Sequence, residues 1–193
     1  MNQVEKLLCR SVVQAFERYE GITGYWLLHA PEHFLQNFLM LELGKSRGVY
    51  MEATRRKIAD GVGRPPKGRP PHSPTTRYDL VLWDKTRNTL RAVIEIKRSL
   101  SLSAPLKKDA KRIRTAVAHR QAVAHRQAVA HGQKAKAGYL IVYSEATVKQ
   151  HANKGLTEKL EGWSTALNLK LIHAAVFDTD DEDYVAGFAI MRA

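Results

Sequence analysis

Hydrophobic and polar residues alternate along the first part of the chain in patterns that predict two helices and a strand. Apolar side chains recur at helical spacing from Asn2 to Tyr19, and again from Glu32 to about Gly44, where they cover most of the circumference. Pro31 suits the first turn of the second helix, which we expect to pack deep against a sheet. Residues 48 to 54 have the pattern of a first strand.

The centre of the chain predicts a hairpin that carries charged residues. Residues 77–83 and 92–97 alternate as strands do, and residues 84–89 form a polar turn between them. Because successive side chains of a strand point to opposite faces, Glu95 and Lys97 share one face, and Asp79 on the partner strand can join them. Burying two carboxylates and a lysine is costly unless something compensates them, and a divalent cation would do so. An ordinary ion pair at a sheet edge explains the spacing equally well.

The second half of the chain predicts two helical regions and three strands. Residues 102–136 have helical spacing and form one long helix or a broken pair, and the compact apolar strand at 138–144 then suits a parallel, buried position. Residues 146–167 indicate a helix that can be interrupted at Gly155 and Gly162, with Trp163 in the core. Residues 170–177 and 184–191 predict two closing strands.

A six-residue repeat lies in the first of these helical regions, at residues 116–133. Its histidines, His119, His125 and His131, suggest a metal site. However, six residues turn an α-helix by roughly 600°, so successive copies face about 120° apart. A duplication that lengthens a helix is therefore favoured over a row of metal ligands.

Composition indicates one globular domain over residues 1–193. The chain is 44% apolar and 26% charged, which is enough to bury a core. Its single cysteine, Cys9, cannot form an internal disulfide, and no Cys/His set has zinc-finger spacing. Without an apolar run near the roughly 18 residues of a membrane span, and without the pattern of a signal peptide, we expect a cytoplasmic protein and no membrane partner.

The positive charge is concentrated in one segment. The net charge is +12; residues 97–136 carry eleven Lys or Arg against one acid, whereas residues 139–193 carry five against eight. Such a density attracts a polyanion, and nucleic acid is favoured over acidic lipid or a mere effect on solubility. We expect the phosphate contacts to include four residues of the basic segment: Lys107, Lys108, Lys111 and Arg112.

Residues 61–74 are rich in Pro and Gly and are also basic. Proline lacks the donor that a sheet interior needs, so this stretch predicts a long exposed loop. Residues 67–70 resemble the core of an AT-hook, which lies in the minor groove of A·T-rich DNA, although a flexible linker is the favoured interpretation. Arg64, Lys67 and Arg69 are candidate nucleic-acid contacts in this loop.

The order helix, strand, strand, strand, helix, strand, with Asp79 on the second strand and Glu95-Ile96-Lys97 on the third, resembles the PD-(D/E)XK superfamily of restriction-endonuclease-like nucleases. The resemblance covers about residues 31–144. Tyr78 stands where the family has its name-giving proline. The resemblance implies an α/β fold with a mixed central sheet flanked by helices, to which residues 146–193 add a helix and two strands.

The resemblance also implies a chemistry, the Mg²⁺-dependent hydrolysis of phosphodiester bonds in DNA, with Mn²⁺ as a substitute. Asp79 and Glu95 would hold the cation, and the carbonyl of Ile96 would add an oxygen. Lys97 would orient or deprotonate the attacking water, or neutralise developing charge. Glu32, on the helix before the first strand, would complete the shell directly or through water. Glu52, on the first strand, is the reserve candidate.

Two other functions remain compatible with the sequence. One is a nuclease fold that binds nucleic acid without cutting it, because fold does not determine function. The other is a protein whose basic surface docks an acidic protein partner. DNA is favoured over RNA as the ligand. The sequence leaves open endo or exo cleavage, sequence preference, and whether the protein is a monomer or a homodimer.

Overall fold

The computed structural model describes residues 1–25, 29–54, 77–84, 89–124, 135–147, 153–178 and 184–193. In these ranges the α-helices are α1 (Gln3–Thr23), α2 (Glu32–Gly44), α3 (Ala104–Ala124) and α4 (Asn153–Ala166). The strands are β1 (Gly48–Thr54), β2 (Arg77–Asp84), β3 (Thr89–Arg98), β4 (Ala137–Thr147), β5 (Lys170–Asp178) and β6 (Tyr184–Arg192). The basic loop at 61–74, with Arg64, Lys67 and Arg69, lies outside the described residues, as do His125 and His131.

The six strands form one mixed sheet in the order β1-β2-β3-β4-β6-β5. β3 and β4 are parallel, as the sequence predicts for a strand that follows a helix, and the other neighbours are antiparallel. The parallel pair requires a crossover, and α3 lies in that connection. The α/β class and the mixed sheet flanked by helices are thus confirmed.

Helices cover both faces of the sheet, so there are two apolar cores. On one face, α1 and α2 pack against the sheet through residues such as Leu8, Leu35 and Leu39. On the other face, α3 and α4 pack through residues such as Ile113 and Trp163, which confirms the predicted core position of Trp163. Among the described residues, no helix is both long enough and apolar enough to cross a membrane.

Helix α1 is longer than the sequence predicts. It begins with a capping box, in which the side chain of Asn2 accepts a hydrogen bond from the Glu5 amide and the carboxylate of Glu5 accepts one from the Asn2 amide. It continues past Gly21 to Thr23 and ends at Gly24, whose φ of 68° is left-handed. The prediction stopped at Tyr19 because it took the first glycine as the end, whereas the second one supplies the C-cap.

Two boundaries in the second half of the chain are corrected. Residues 146 and 147 belong to β4 and not to a helix, because they pair with Val185 and Tyr184 of β6. The described part of the predicted helical region at 102–136 gives α3 (Ala104–Ala124), and residues 135 and 136, which precede β4, are not helical. The described part of the six-residue repeat, residues 116–124, is helical. Helix α4 is continuous through Gly155 and Gly162, where the sequence allowed an interruption.

Close packing of β6 against its neighbours predicts a large effect at one glycine. A Cβ at Gly187 would lie 2.6 Å from the carbonyl oxygen of Ala175 and 3.2 Å from the side chain of Leu156, so Gly187→Ala must displace backbone. We expect it to lower the free energy of unfolding by roughly 1–3 kcal/mol, measured by urea denaturation. The matched control is Gly162→Ala in α4, where a Cβ meets nothing within 4 Å; it should raise stability by roughly 0.4–1 kcal/mol. Equal effects of the two substitutions would contradict this account.

Candidate active site

Asp79 and Glu95 lie opposite each other on neighbouring strands. Leu80 of β2 pairs with Ile94 of β3 in antiparallel register, and the next position along this register places Asp79 against Glu95. Oδ2 of Asp79 accepts a hydrogen bond of 2.7 Å from the amide of Ile96. The structure therefore brings together the two carboxylates that the sequence singled out.

Glu95 is a deeply buried acid, with a relative exposure of 1%. Its Oε2 accepts a hydrogen bond of 2.5 Å from Nη2 of Arg112, while Oε1 is buried and has no hydrogen-bond partner among the described residues. Burial and the neighbouring charge of Asp79 raise the pKa of Glu95 to about 9, against the opposing effect of Arg112. An ionised Glu95 thus needs more positive charge than the surrounding side chains provide.

Asp79 is held in a similar environment. Burial raises its pKa above the ordinary value, although the amide of Ile96 and the charges of Lys97 and Arg112 act in the opposite direction. Its backbone is fixed as well, because the side-chain amide of Gln36, buried in α2, donates a hydrogen bond of 3.0 Å to the carbonyl of Asp79. Gln36 lies three and seven residues before the buried Leu39 and Leu43, so it is a polar residue on the apolar face of α2, and this pattern could have identified it from the sequence.

Glu32 lies at the start of α2 and reaches the end of β3. Its Oε2 lies 3.1 Å from Nζ of Lys97, and its Oε1 accepts a hydrogen bond of 3.0 Å from the amide of Arg98. Burial lowers the pKa of Lys97, but the hydrogen bond and charge of Glu32 outweigh it, so this pKa lies above its ordinary value. Lys97 is therefore a protonated cation at neutral pH, and Glu32 is its direct partner.

Two residues of α3, Arg112 and Asp109, lie close to Glu95, and the sequence analysis did not predict Asp109 as a site residue. Arg112, expected to contact phosphate, instead has its Nη2 2.9 Å from Oδ1 of Asp109, in addition to its contact with Glu95. Asp109 is buried and is the single acid between residues 97 and 136. Its spacing of three residues from Arg112 on one helix was the available signal, since residues three apart are neighbours on a helix surface.

The other predicted site residues lie apart from the cluster or outside the described residues. Lys107, Lys108 and Lys111 are exposed on α3. The backbone of Glu52 lies in β1, but its side chain is not among those that the structure describes.

The carboxylate pair fits a hard divalent cation. Mg²⁺ takes oxygen ligands, commonly one or two carboxylates, and keeps several waters. Oε1 of Glu95 is a buried oxygen without a hydrogen-bond donor among the described residues, and Asp79 lies opposite Glu95 on the neighbouring strand. The amide of Ile96 points to Asp79. Because the amide and the carbonyl of one strand residue point to the same side of the strand, the carbonyl of Ile96 faces β2 as well. Within the described ranges, no three or more His, Cys, Asp or Glu side chains form a group that could hold a metal ion.

Comparisons of the chain with models of known families, with curated proteins and with solved structures found no match. The order of elements from α2 to β4 agrees with the order on which the resemblance to the PD-(D/E)XK superfamily was based. Membership of that superfamily stays a prediction, and the function is inferred from the site itself.

The elevated pKa of Glu95 predicts how stability depends on pH in metal-free protein. Between pH 4.5 and about 9 the folded protein keeps the Glu95 proton, whereas the unfolded chain releases it, so the free energy of unfolding falls as the pH rises. Glu95→Gln removes this contribution. The stability of the wild type relative to this variant should therefore decline by up to about 1.4 kcal/mol per pH unit, measured by urea denaturation in EDTA. Parallel pH profiles of the two proteins would show that Glu95 is ionised in the fold.

Proposed function

We propose that the protein is a Mg²⁺-dependent nuclease that hydrolyses phosphodiester bonds in DNA, with the restriction-endonuclease-like chemistry of the PD-(D/E)XK superfamily. The observation that carries this proposal is the buried Glu95 opposite the half-buried Asp79 on adjacent strands, with one Glu95 oxygen that has no hydrogen-bond donor among the described residues. Lys97 follows on the same face of β3, next to the pair. Buried like charges of this kind are typical of functional sites.

The proposed cation would be held by Asp79, by Oε1 of Glu95 and by the carbonyl of Ile96. When bound, Mg²⁺, or Mn²⁺ as its substitute, would supply a Lewis acid and lower the pKa of a bound water. Asp79 and Glu95 would hold the cation in their ionised forms.

Lys97 is best suited to act as a cation. Of the roles that the sequence left open, orienting the attacking water or neutralising developing charge requires the protonated form, whereas deprotonating the water requires the neutral form. Glu32 raises the pKa of Lys97, which supports the first two roles. Both oxygens of Glu32 are occupied by Lys97 and the Arg98 amide, so we propose that Glu32 fixes Lys97 and does not enter the cation's shell directly.

DNA would bind along the basic side of the molecule. Lys107, Lys108 and Lys111 are exposed on α3, the helix that also supplies Asp109 and Arg112 to the site. Exposed lysines bind phosphates as point charges, and the net charge of +12 supports a polyanionic ligand. A cytoplasmic location, where such a substrate is accessible, is part of this proposal, and a homodimer is compatible with it.

Charge-removing substitutions test this function directly. Asp79→Asn and Glu95→Gln keep shape but remove a ligand charge, so each should reduce Mg²⁺-dependent nicking of supercoiled plasmid by roughly a hundredfold or more. Without metal, Glu95→Gln should bind the same DNA as the wild type does, because Glu95 already keeps its proton near neutral pH. Asp79→Asn should keep or strengthen this binding, because it removes a charge that repels phosphate. Lys97→Ala should slow nicking and leave Mn²⁺ affinity unchanged.

The control variant is Glu161→Gln, which removes one charge from the exposed surface of α4 and should behave as the wild type. Single-stranded DNA and RNA are tested in parallel, with EDTA as the blank. If the wild type binds DNA but cuts no substrate, the protein is a binding module with a nuclease-like fold. If it neither binds nor cuts nucleic acid, the basic surface serves a protein partner.

A further inference from the structure

Glu95 belongs to a cluster of three charged residues with Arg112 and Asp109. Nη2 of Arg112 is shared between Oε2 of Glu95, at 2.5 Å, and Oδ1 of Asp109, at 2.9 Å. The relative exposures of Glu95 and Asp109 are 1% and 7%. Buried ion clusters often contribute less to stability than well-packed apolar residues, since desolvation offsets their attraction. The placement of Arg112 therefore calls for a reason other than stability.

The two carboxylate oxygens of Glu95 differ in their hydrogen bonds. Arg112 holds Oε2, whereas Oε1 is buried without a hydrogen-bond partner among the described residues. Asp109, three residues earlier on the same helix, forms a second ion pair with Arg112 and so restrains its guanidinium. One oxygen of Glu95 is thus bound by a restrained partner, and Asp79 lies opposite Glu95 on the neighbouring strand.

We propose that Arg112 is a positioning residue, which, held by Asp109, orients the Glu95 carboxylate so that Oε1 is presented to a divalent cation shared with Asp79. This inference rests on the proposed metal-dependent function. It gives Arg112 a role inside the site in place of the phosphate contact expected from the basic character of its segment. Partners that orient a metal ligand typically contribute tenfold to a hundredfold to metal affinity.

A purely electrostatic role for Arg112 predicts the opposite result. A guanidinium near a bound cation repels it, so removing the charge would tighten metal binding. Lysine keeps the charge but lacks the planar fork that two carboxylates share, so Arg112→Lys separates orientation from charge. The sign of the change in metal affinity therefore distinguishes the two roles.

The test is calorimetric titration of Mn²⁺ into the full chain as wild type, Arg112→Met, Arg112→Lys and the control Lys6→Met. Lys6 is exposed on α1, on the other side of the sheet from α3, so its variant loses one charge without touching the site. We expect Arg112→Met to weaken Mn²⁺ binding by about tenfold to a hundredfold. Arg112→Lys should be weakened in the same direction, and Lys6→Met should match the wild type. Circular dichroism confirms folding, and if Arg112→Met does not fold, Arg112→Lys decides.

Unchanged or tighter binding in Arg112→Lys would overturn the positioning role while leaving the proposed nuclease intact. Absence of Mn²⁺ binding in a folded wild type would remove the metal site itself, and with it both proposals. A loss in Lys6→Met equal to that in Arg112→Met would show that the effect is not specific to Arg112, and it would overturn the positioning role.

Discussion

The candidate site depends on a buried carboxylate, Glu95, that lies opposite a half-buried one, Asp79. Desolvation disfavours the charged forms of both acids, and the charge of Asp79 further raises the free energy of ionising Glu95. The amide of Ile96 and the ammonium of Lys97, both on β3, favour the charged form of Asp79, and the guanidinium of Arg112 on α3 favours the charged form of both acids. Their combined effect still leaves the pKa of both acids raised.

The topology explains how these groups reach the pair. The parallel pairing of β3 and β4 requires a crossover, and α3, which lies in it, is thereby laid over the face of β3 that carries Glu95. On the opposite face, α2 starts beside the end of β3, so Glu32 contacts Lys97 and Gln36 contacts the backbone of Asp79. The helices on both faces of the sheet thus make polar contacts with the same two strands, β2 and β3.

Local sequence determined the elements that rest on local chemistry. Pro31 and the apolar pattern after it predicted α2 at its observed limits, and the alternation around Asp79 and Glu95 predicted the central hairpin. The end of β4 was not predictable, because residues 146 and 147 are strand only through pairing with β6, which is distant in sequence. Arg112 could not be told from its basic neighbours, because only the placement of α3 over β3 decides which side chain meets Glu95.

Anomalous diffraction from crystals soaked in Mn²⁺ tests whether the carboxylate pair is the proposed cation site. We expect a single strong peak roughly 2 Å from oxygens of both Asp79 and Glu95, with Oε1 as the Glu95 ligand and Oε2 still bound to Arg112. A peak elsewhere, or a Glu95 carboxylate that stays bound only to Arg112 in a fully soaked crystal, would rule out this site.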